Sequence, residues 1–155
     1  MNNEYAKQQV IKKMENSMRV IRPHGVCDHF PREIGYSLQA FTSICKNFII
    51  EEYSNGFYYG RITNGYRSGN GAYVFNNGAF YYGEWSNNNR NGDGIVIMSN
   101  GGIYIGEFKN GEFSGRGCLL YDNGIEVEGI WENDEIIQIN PNSDDFVGKN
   151  RIPRW

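Results

Sequence analysis

Two histidines and a cysteine lie close together in the chain, as His24-x-x-Cys27-x-His29. Imidazole and thiolate groups bind structural zinc, but such a site needs four ligands, and only the distant Cys45 could complete the set. Nucleophilic catalysis would require Cys27 or Cys45 as an activated thiolate beside a histidine, and nothing in the sequence marks either thiol as activated. We therefore expect neither a metal site nor a thiol active site.

Carboxylates recur with the repeat, each beside its aromatic residue, as Glu84, Glu107 and Glu132. This regularity indicates solvated strand positions rather than a paired general acid and base. The Gly-x-Gly at 69/71 lacks the strand-loop-helix context and the lysine of a phosphate-binding loop. The sequence therefore predicts a protein that is not an enzyme and binds no cofactor.

The charge of the chain is unevenly distributed, although its formal net value is only −3. Residues 1–50 carry seven basic and four acidic side chains, residues 51–139 carry five and twelve, and residues 140–155 carry three and two. Nucleic-acid binding needs clustered Lys and Arg. Because the middle of the chain is net −7, we expect no nucleic-acid partner.

The cysteines and the hydropathy pattern bear on the compartment. Three cysteines, at 27, 45 and 118, are an odd number without regular spacing, so they imply no disulfide framework and favour a reducing compartment. The first residues contain no signal-peptide core, and no apolar run approaches the roughly 18 residues of a membrane span. We expect a cytoplasmic protein.

A period of 23 residues organises the chain. Glycines recur at 60, 83, 106 and 129. The two residues before each glycine recur with it, and in the first copy they are Tyr58-Tyr59. Three other features keep the same register, namely Gly-x-Gly at 69/71, 92/94 and 115/117, a large residue at 75, 98 and 121, and Asn-Gly at 77/78, 100/101 and 123/124. Such a period indicates one supersecondary unit that contacts mainly its neighbours.

Each unit is predicted to be a β-hairpin. Asn-Gly between two apolar runs favours a type I′ turn, which needs positive φ at both central residues. The stretches such as 86–92 are interpreted as longer connections. All four prolines lie outside the repeats, as a hydrogen-bonded ladder requires.

Strand alternation places glycines and aromatic residues on one face of the predicted sheet. An aromatic ring from a neighbouring strand can fill the space that a glycine leaves. The residues assigned to this structural packing are Tyr58, Gly60, Tyr81, Gly83, Trp85, Tyr104, Gly106, Phe108, Gly129 and Trp131.

Residues 81–85, 104–108 and 110–117 together resemble the MORN repeat family, whose pattern begins Tyr-x-Gly-x-Trp/Phe and continues through Gly-x-Gly. The resemblance covers roughly residues 55–133. The chain departs from it at Ile62, at Asn88 and Asp134 in place of glycine, and at Val127 in place of tyrosine. The resemblance implies a mostly β fold, an elongated, twisted antiparallel sheet of successive hairpins.

The opposite face of the predicted sheet is apolar, although a solvent-facing side of an antiparallel sheet should be polar. Either the chain's own flanks or a partner, or both, should therefore cover it. The residues expected to bind a partner on this outer face are Phe57, Tyr59, Phe80, Tyr82, Ile103 and Ile105.

Helical periodicity appears only before the repeats. It predicts an amphipathic helix over 3–21, net +3 with Arg22, and a second short helix over 37–48. The residues of the first helix expected to contact its own sheet, a partner or a membrane are Lys7, Val10, Lys12, Lys13, Met14, Met18 and Arg19. We divide the chain into a helical flank (1–47), a repeat array (48–139) and an irregular tail (140–155) whose apolar residues suggest docking.

The sequence favours a structural, protein-binding scaffold within a larger assembly. The resemblance implies a eukaryotic cytoskeletal or ciliary setting. The alternative is a membrane-associated module that binds acidic phospholipids through the first helix, although the net −7 of the array disfavours it. The sequence is equally compatible with a regulatory subunit of an enzyme. The exposed strand edges at either end of the array could also pair with a second copy of the chain, which would give a homodimer.

Overall fold

The computed structural model describes residues 1–20 and 30–140, and the side chains of residues 18–20 and 30–36 lie outside this description. The candidate metal motif at 24, 27 and 29 therefore falls outside the described residues, as does the tail from residue 141 onward.

In the described part of the chain, two α-helices precede the sheet. α1 spans Asn3–Val20, and the Asn2 side chain caps it by accepting a hydrogen bond from the Tyr5 backbone N–H at 2.8 Å. α2 spans Phe30–Ile44 and continues as a 3₁₀ turn over Cys45–Asn47. The predicted start of α2 at residue 37 was too late. The physical reason is Pro31, which is accepted in the first turn because the N–H it lacks would have no helical partner there.

Within the described residues, nine strands form one antiparallel sheet in which every strand pairs only with its neighbours in sequence. They are β1 Ile49–Tyr53, β2 Gly56–Thr63, β3 Tyr66–Phe75, β4 Phe80–Ser86, β5 Asn89–Ile97, β6 Ile103–Lys109, β7 Glu112–Leu120, β8 Glu126–Glu132 and β9 Glu135–Ile139. The predicted class, a mostly β sheet of successive hairpins with N-terminal helices, is confirmed.

The two kinds of turn are the reverse of the expectation. Both central residues have positive φ in the two-residue turns at 64/65, 87/88, 110/111 and 133/134, which we had interpreted as longer connections. In the Asn-Gly turns only the glycine has a positive φ, for example 96° at Gly78. The Gly78 N–H donates a hydrogen bond to the Phe75 carbonyl. Asn and Asp tolerate the left-handed region, so Asn88 and Asp134 take the place of the family's glycine without breaking the turn.

A row of glycines crosses the sheet from β2 to β8. Gly60, 71, 83, 94, 106, 117 and 129 each lie directly opposite the next member of the row on the neighbouring strand. Register shifts follow the row in β2–β3, β4–β5 and β6–β7, where the ladder is interrupted by β-bulges.

The core consists of two clusters on opposite faces of the sheet. One cluster contains the repeat aromatics, such as Tyr58, Tyr81 and Tyr104, which we call the aromatic face. The other joins Ala6, Val10 and Met14 of α1 and Phe41 of α2 to the strands, on what we call the helix face. None of the helices within the described ranges is long and apolar enough to cross a membrane.

Candidate functional site

The aromatic face is held by a chain of edge-to-face ring contacts. Tyr and Trp or Phe alternate along it, in the order Tyr58, Trp85, Tyr81, Phe108, Tyr104, Trp131. Successive ring centroids lie 5.2 to 5.6 Å apart with interplanar angles of 81° to 89°, the arrangement that aromatic quadrupoles favour. All six side chains are buried, so this face is a packed structural layer.

The polar atoms of these rings bond the backbone beside the glycine row. The hydroxyl groups of Tyr58, Tyr81 and Tyr104 each donate to the carbonyl three residues later, at 2.8, 2.8 and 3.0 Å. The indole N–H groups of Trp85 and Trp131 donate to the carbonyls of the glycines 14 residues earlier, at 3.0 and 2.9 Å. The aromatic residues therefore satisfy carbonyl groups near the bulges.

Burial raises the pKa of Tyr58, Tyr81 and Tyr104 above the ordinary value for tyrosine. Desolvation is the main cause, since it penalises the phenolate. These hydroxyl groups thus remain neutral hydrogen-bond donors, which suits a structural role.

The helix face is covered by the chain's own helices over its first strands. The Phe41 ring lies 5.5 Å from that of Tyr82 and 6.1 Å from that of Tyr59, between centroids, and both contacts are edge-to-face. The Tyr59 hydroxyl donates to the Cys45 carbonyl at 3.3 Å. The residues expected to bind a partner, Phe57, Tyr59, Phe80, Tyr82, Ile103 and Ile105, all lie in this internal cluster and are at most 7 % exposed.

The apolar side of α1 faces the sheet. Val10 and Met14 are fully buried, and Lys13 Nζ donates to the Gly78 carbonyl at 2.9 Å. Lys7 is partly buried and Lys12 is exposed, while the side chains of Met18 and Arg19 lie outside the described residues. Among the alternatives for this helix, packing on its own sheet is the one that the structure shows.

The helix face opens into a cleft at its far end. We call it the distal cleft; it extends over β5–β9 and has a volume of about 700 Å³. The backbones of Gly106, Gly117 and Gly129 form its floor. Residues that flank a glycine along a strand point to the face opposite the glycine's own. The residues that flank the glycines therefore point into the cleft and form its two walls. Along each wall, the residue before a glycine in one strand is followed by the residue after a glycine in the next strand.

The two walls differ in chemistry. One consists of Ile105, Cys118, Glu128 and Asn140, and the other consists of Asp93, Glu107, Arg116, Ile130 and Gln138. In the second wall, Glu107 lies next to the bulge. Its side chain is held in place, because Glu107 Oε2 accepts a hydrogen bond from the Arg116 backbone N–H at 2.6 Å. Glu84 Oε2 bonds the Asp93 N–H in the same way at 2.7 Å.

Negative charge accumulates at this end of the helix face. The pKa of Asp93 is raised, chiefly by desolvation and further by the nearby carboxylates of Glu84 and Glu107. Glu84 and Glu107 are exposed strand residues, and each also accepts a backbone N–H at a bulge.

The cysteines require a correction. Cys118, in the wall of the distal cleft, is fully buried and disulfide-bonded, and its partner lies outside the described residues, whereas Cys45 is a buried free thiol. The expectation of a chain without disulfides is therefore wrong at Cys118. Among residues 1–20 and 30–140, no group of three or more His, Cys, Asp or Glu side chains could hold a metal ion.

The polar residues of the distal cleft were not predicted as a site. Their signal in the sequence was the middle residue of each Gly-x-Gly, at Asp93 and Arg116, and the residue after each repeat glycine, at Glu84 and Glu107. These positions become neighbours only through the strand register, which the period alone does not specify.

Comparison with known families identifies the repeat. The MORN repeat model matches three consecutive segments, residues 58–80, 81–103 and 104–126. Over residues 58–126 the chain therefore matches the MORN repeat, as its resemblance to this family implied. A search of curated proteins finds no match to the chain.

Proposed function

We propose that the chain is a non-enzymatic protein-binding module of a larger assembly. The observation that carries this proposal is the distal cleft, which combines an apolar stretch with polar and charged residues over a backbone floor. Protein interfaces combine an apolar core with a polar rim in this manner. The part of the helix face over the first strands is not the proposed binding surface, because α1 and α2 already cover it.

A charge reversal in the cleft tests the proposal. Asp93 and Gln138 are exposed, so Asp93→Lys with Gln138→Lys should alter the cleft surface without removing a buried contact. We expect affinity purification of the tagged chain from its own cells to recover a stoichiometric set of proteins, and the double variant to recover at least about tenfold less, the loss that about 1.4 kcal/mol produces.

The control is Asp122→Lys, which repeats the Asp-to-Lys change at an exposed position in a hairpin turn outside the cleft. It should recover the wild-type set. Equal recovery by wild type, double variant and control would show that the cleft does not bind these proteins, and recovery of the tagged chain alone would contradict the scaffold function.

The cellular setting is a separate part of the proposal. MORN arrays are associated with cytoskeletal and ciliary structures, and this resemblance supports such a location. Imaging of the tagged chain should show it concentrated on such structures, and a uniform distribution would contradict the setting. Binding of acidic phospholipids by α1 has less support, because Val10 and Met14 face the sheet and, of the three lysines of α1, only Lys12 is exposed.

A further inference from the structure

The chain leaves its last strand at the wall of the distal cleft. β9 ends at Ile139, and the next residue, Asn140, contributes to that wall. The Asn140 N–H bonds the Glu128 carbonyl at 2.8 Å, and Asn140 Nδ2 donates to Glu128 Oε1 at 3.1 Å. The segment that follows therefore starts beside the cleft, at a fixed point.

The segment is long enough to fill the cleft. Four strand spacings separate β5 from β9, or about 19 Å at roughly 4.8 Å each. Residues 141–148 can span up to about 26 Å when extended, and residues 149–155 cover about 23 Å. The last seven residues can thus reach the whole length of the cleft.

The charges of the segment and the cleft are complementary. Residues 149–155, Lys-Asn-Arg-Ile-Pro-Arg-Trp, carry three basic side chains and no acidic one. The cleft carries Asp93, Glu107 and Glu128 against Arg116. Opposite charges at close range favour association and set its orientation.

The apolar residues match as well. Ile152 and Trp155 would find apolar surface at the partly exposed Ile130, beside the nearly buried Ile105, in the walls of the cleft. Pro153 favours an extended backbone at Ile152. An extended segment that carries both basic and apolar side chains suits a cleft with charged and apolar surfaces.

We propose that residues 149–155 occupy the distal cleft of their own chain and so compete with protein partners for it. This inference rests on the proposed function, since it assumes that the cleft binds polypeptide. A tethered segment acts at an effective concentration of the order of millimolar. A partner must therefore displace the segment, and the cleft is autoinhibited.

The test uses the full chain with an altered segment. In the segment variant, Arg151→Glu, Arg154→Glu and Trp155→Ala remove the complementary features at positions outside the described fold. A fluorescently labelled peptide of residues 149–155 with blocked ends is titrated by anisotropy under non-reducing conditions. We expect the segment variant to bind the peptide at least tenfold more tightly than the wild-type chain, because the cleft is vacated.

Two controls locate the binding. A chain with Asn142→Ala and Ser143→Ala should behave as wild type. Adding Asp93→Lys to the segment variant should weaken peptide binding at least tenfold.

The outcomes separate this inference from the proposed function. Equal peptide affinity of wild type and segment variant would overturn self-occupancy while leaving the cleft as a polypeptide site. Absence of peptide binding in both chains would overturn the inference too, and partner capture with the cleft variants would then decide the proposed function independently.

Discussion

The ring of Tyr81 lies across Gly94 on the neighbouring strand. A Cβ atom placed on Gly94 would come within 2.6 Å of Tyr81 Cε2, and one on the facing Gly83 would lie 2.7 Å from the Tyr81 hydroxyl oxygen. The glycine row and the aromatic face are thus one packing unit, since the rings occupy the space that side chains would need.

The first prediction concerns this contact. Gly94→Ala should destabilise the fold by about 1–3 kcal/mol, because the new methyl group overlaps the Tyr81 ring in a packed layer. Urea unfolding measures the change. Gly102→Ala is the control, since its nearest atom is the Asn100 Oδ1 at 3.2 Å and the cost should be clearly smaller. Equal stability of Gly94→Ala and wild type would refute the packing argument.

The second prediction concerns the hydroxyl groups of the aromatic face. Tyr104→Phe removes the donor to the Glu107 carbonyl at 3.0 Å, and we expect a loss of about 1 kcal/mol in the free energy of unfolding. Tyr66→Phe serves as the control because Tyr66 is 50 % exposed; its effect should stay within about 0.5 kcal/mol. If both variants unfold like wild type, the bond contributes nothing measurable.

The third prediction tests whether α2 belongs to the core. Phe41 is fully buried against the rings of Phe48, Tyr59 and Tyr82. Phe41→Ala should therefore cost about 3–5 kcal/mol, as the lost contacts leave a cavity. The exposed Tyr5→Ala in α1 should change stability by less than about 0.5 kcal/mol. A small effect of Phe41→Ala in thermal melts would mean that α2 is only loosely attached.

The fourth prediction is alkaline unfolding. Burial raises the pKa of Tyr59 to about 12 and also raises the pKa of Tyr58, Tyr81 and Tyr104, whereas the unfolded value is about 10. A folded-state pKa above the unfolded one stabilises the fold fully below about pH 10, and this contribution is lost as the pH rises towards 12.

The expected result is a fall in the free energy of unfolding above about pH 10. Phenolate absorbance should rise together with the loss of β-sheet circular dichroism. The urea-unfolded chain is the reference, and its tyrosines should titrate near pH 10. Ionisation of every tyrosine near that pH in the folded chain would contradict the burial of these hydroxyl groups.

The repeat was predictable from sequence because its period appears in the residues themselves. Tyr81, Gly83 and Trp85 recur in order at fixed spacing, and strand alternation then places them on one face. The turns were misassigned because Asn-Gly fits more than one turn type. The choice depends on strand length, and β4 continues to Ser86 and β5 begins at Asn89.

The sequence alone did not predict which residues cover the helix face, nor did it predict the distal cleft. Helical periodicity shows that Val10 and Met14 share a side of α1, but it does not say which surface that side meets. Asp93 and Glu107 are directly opposite each other in the ladder although they are 14 residues apart in sequence. Such a relation depends on register, which local pattern specifies only weakly around bulges.

The sequential order of the nine strands makes the array a molecular ruler. Each 23-residue repeat adds two strands, and at roughly 4.8 Å per strand one repeat lengthens the sheet by about 10 Å. Because no strand pairs across the array, a repeat can be gained or lost without changing any other pairing. The number of repeats therefore determines how far apart the two ends of the array hold whatever is attached to them.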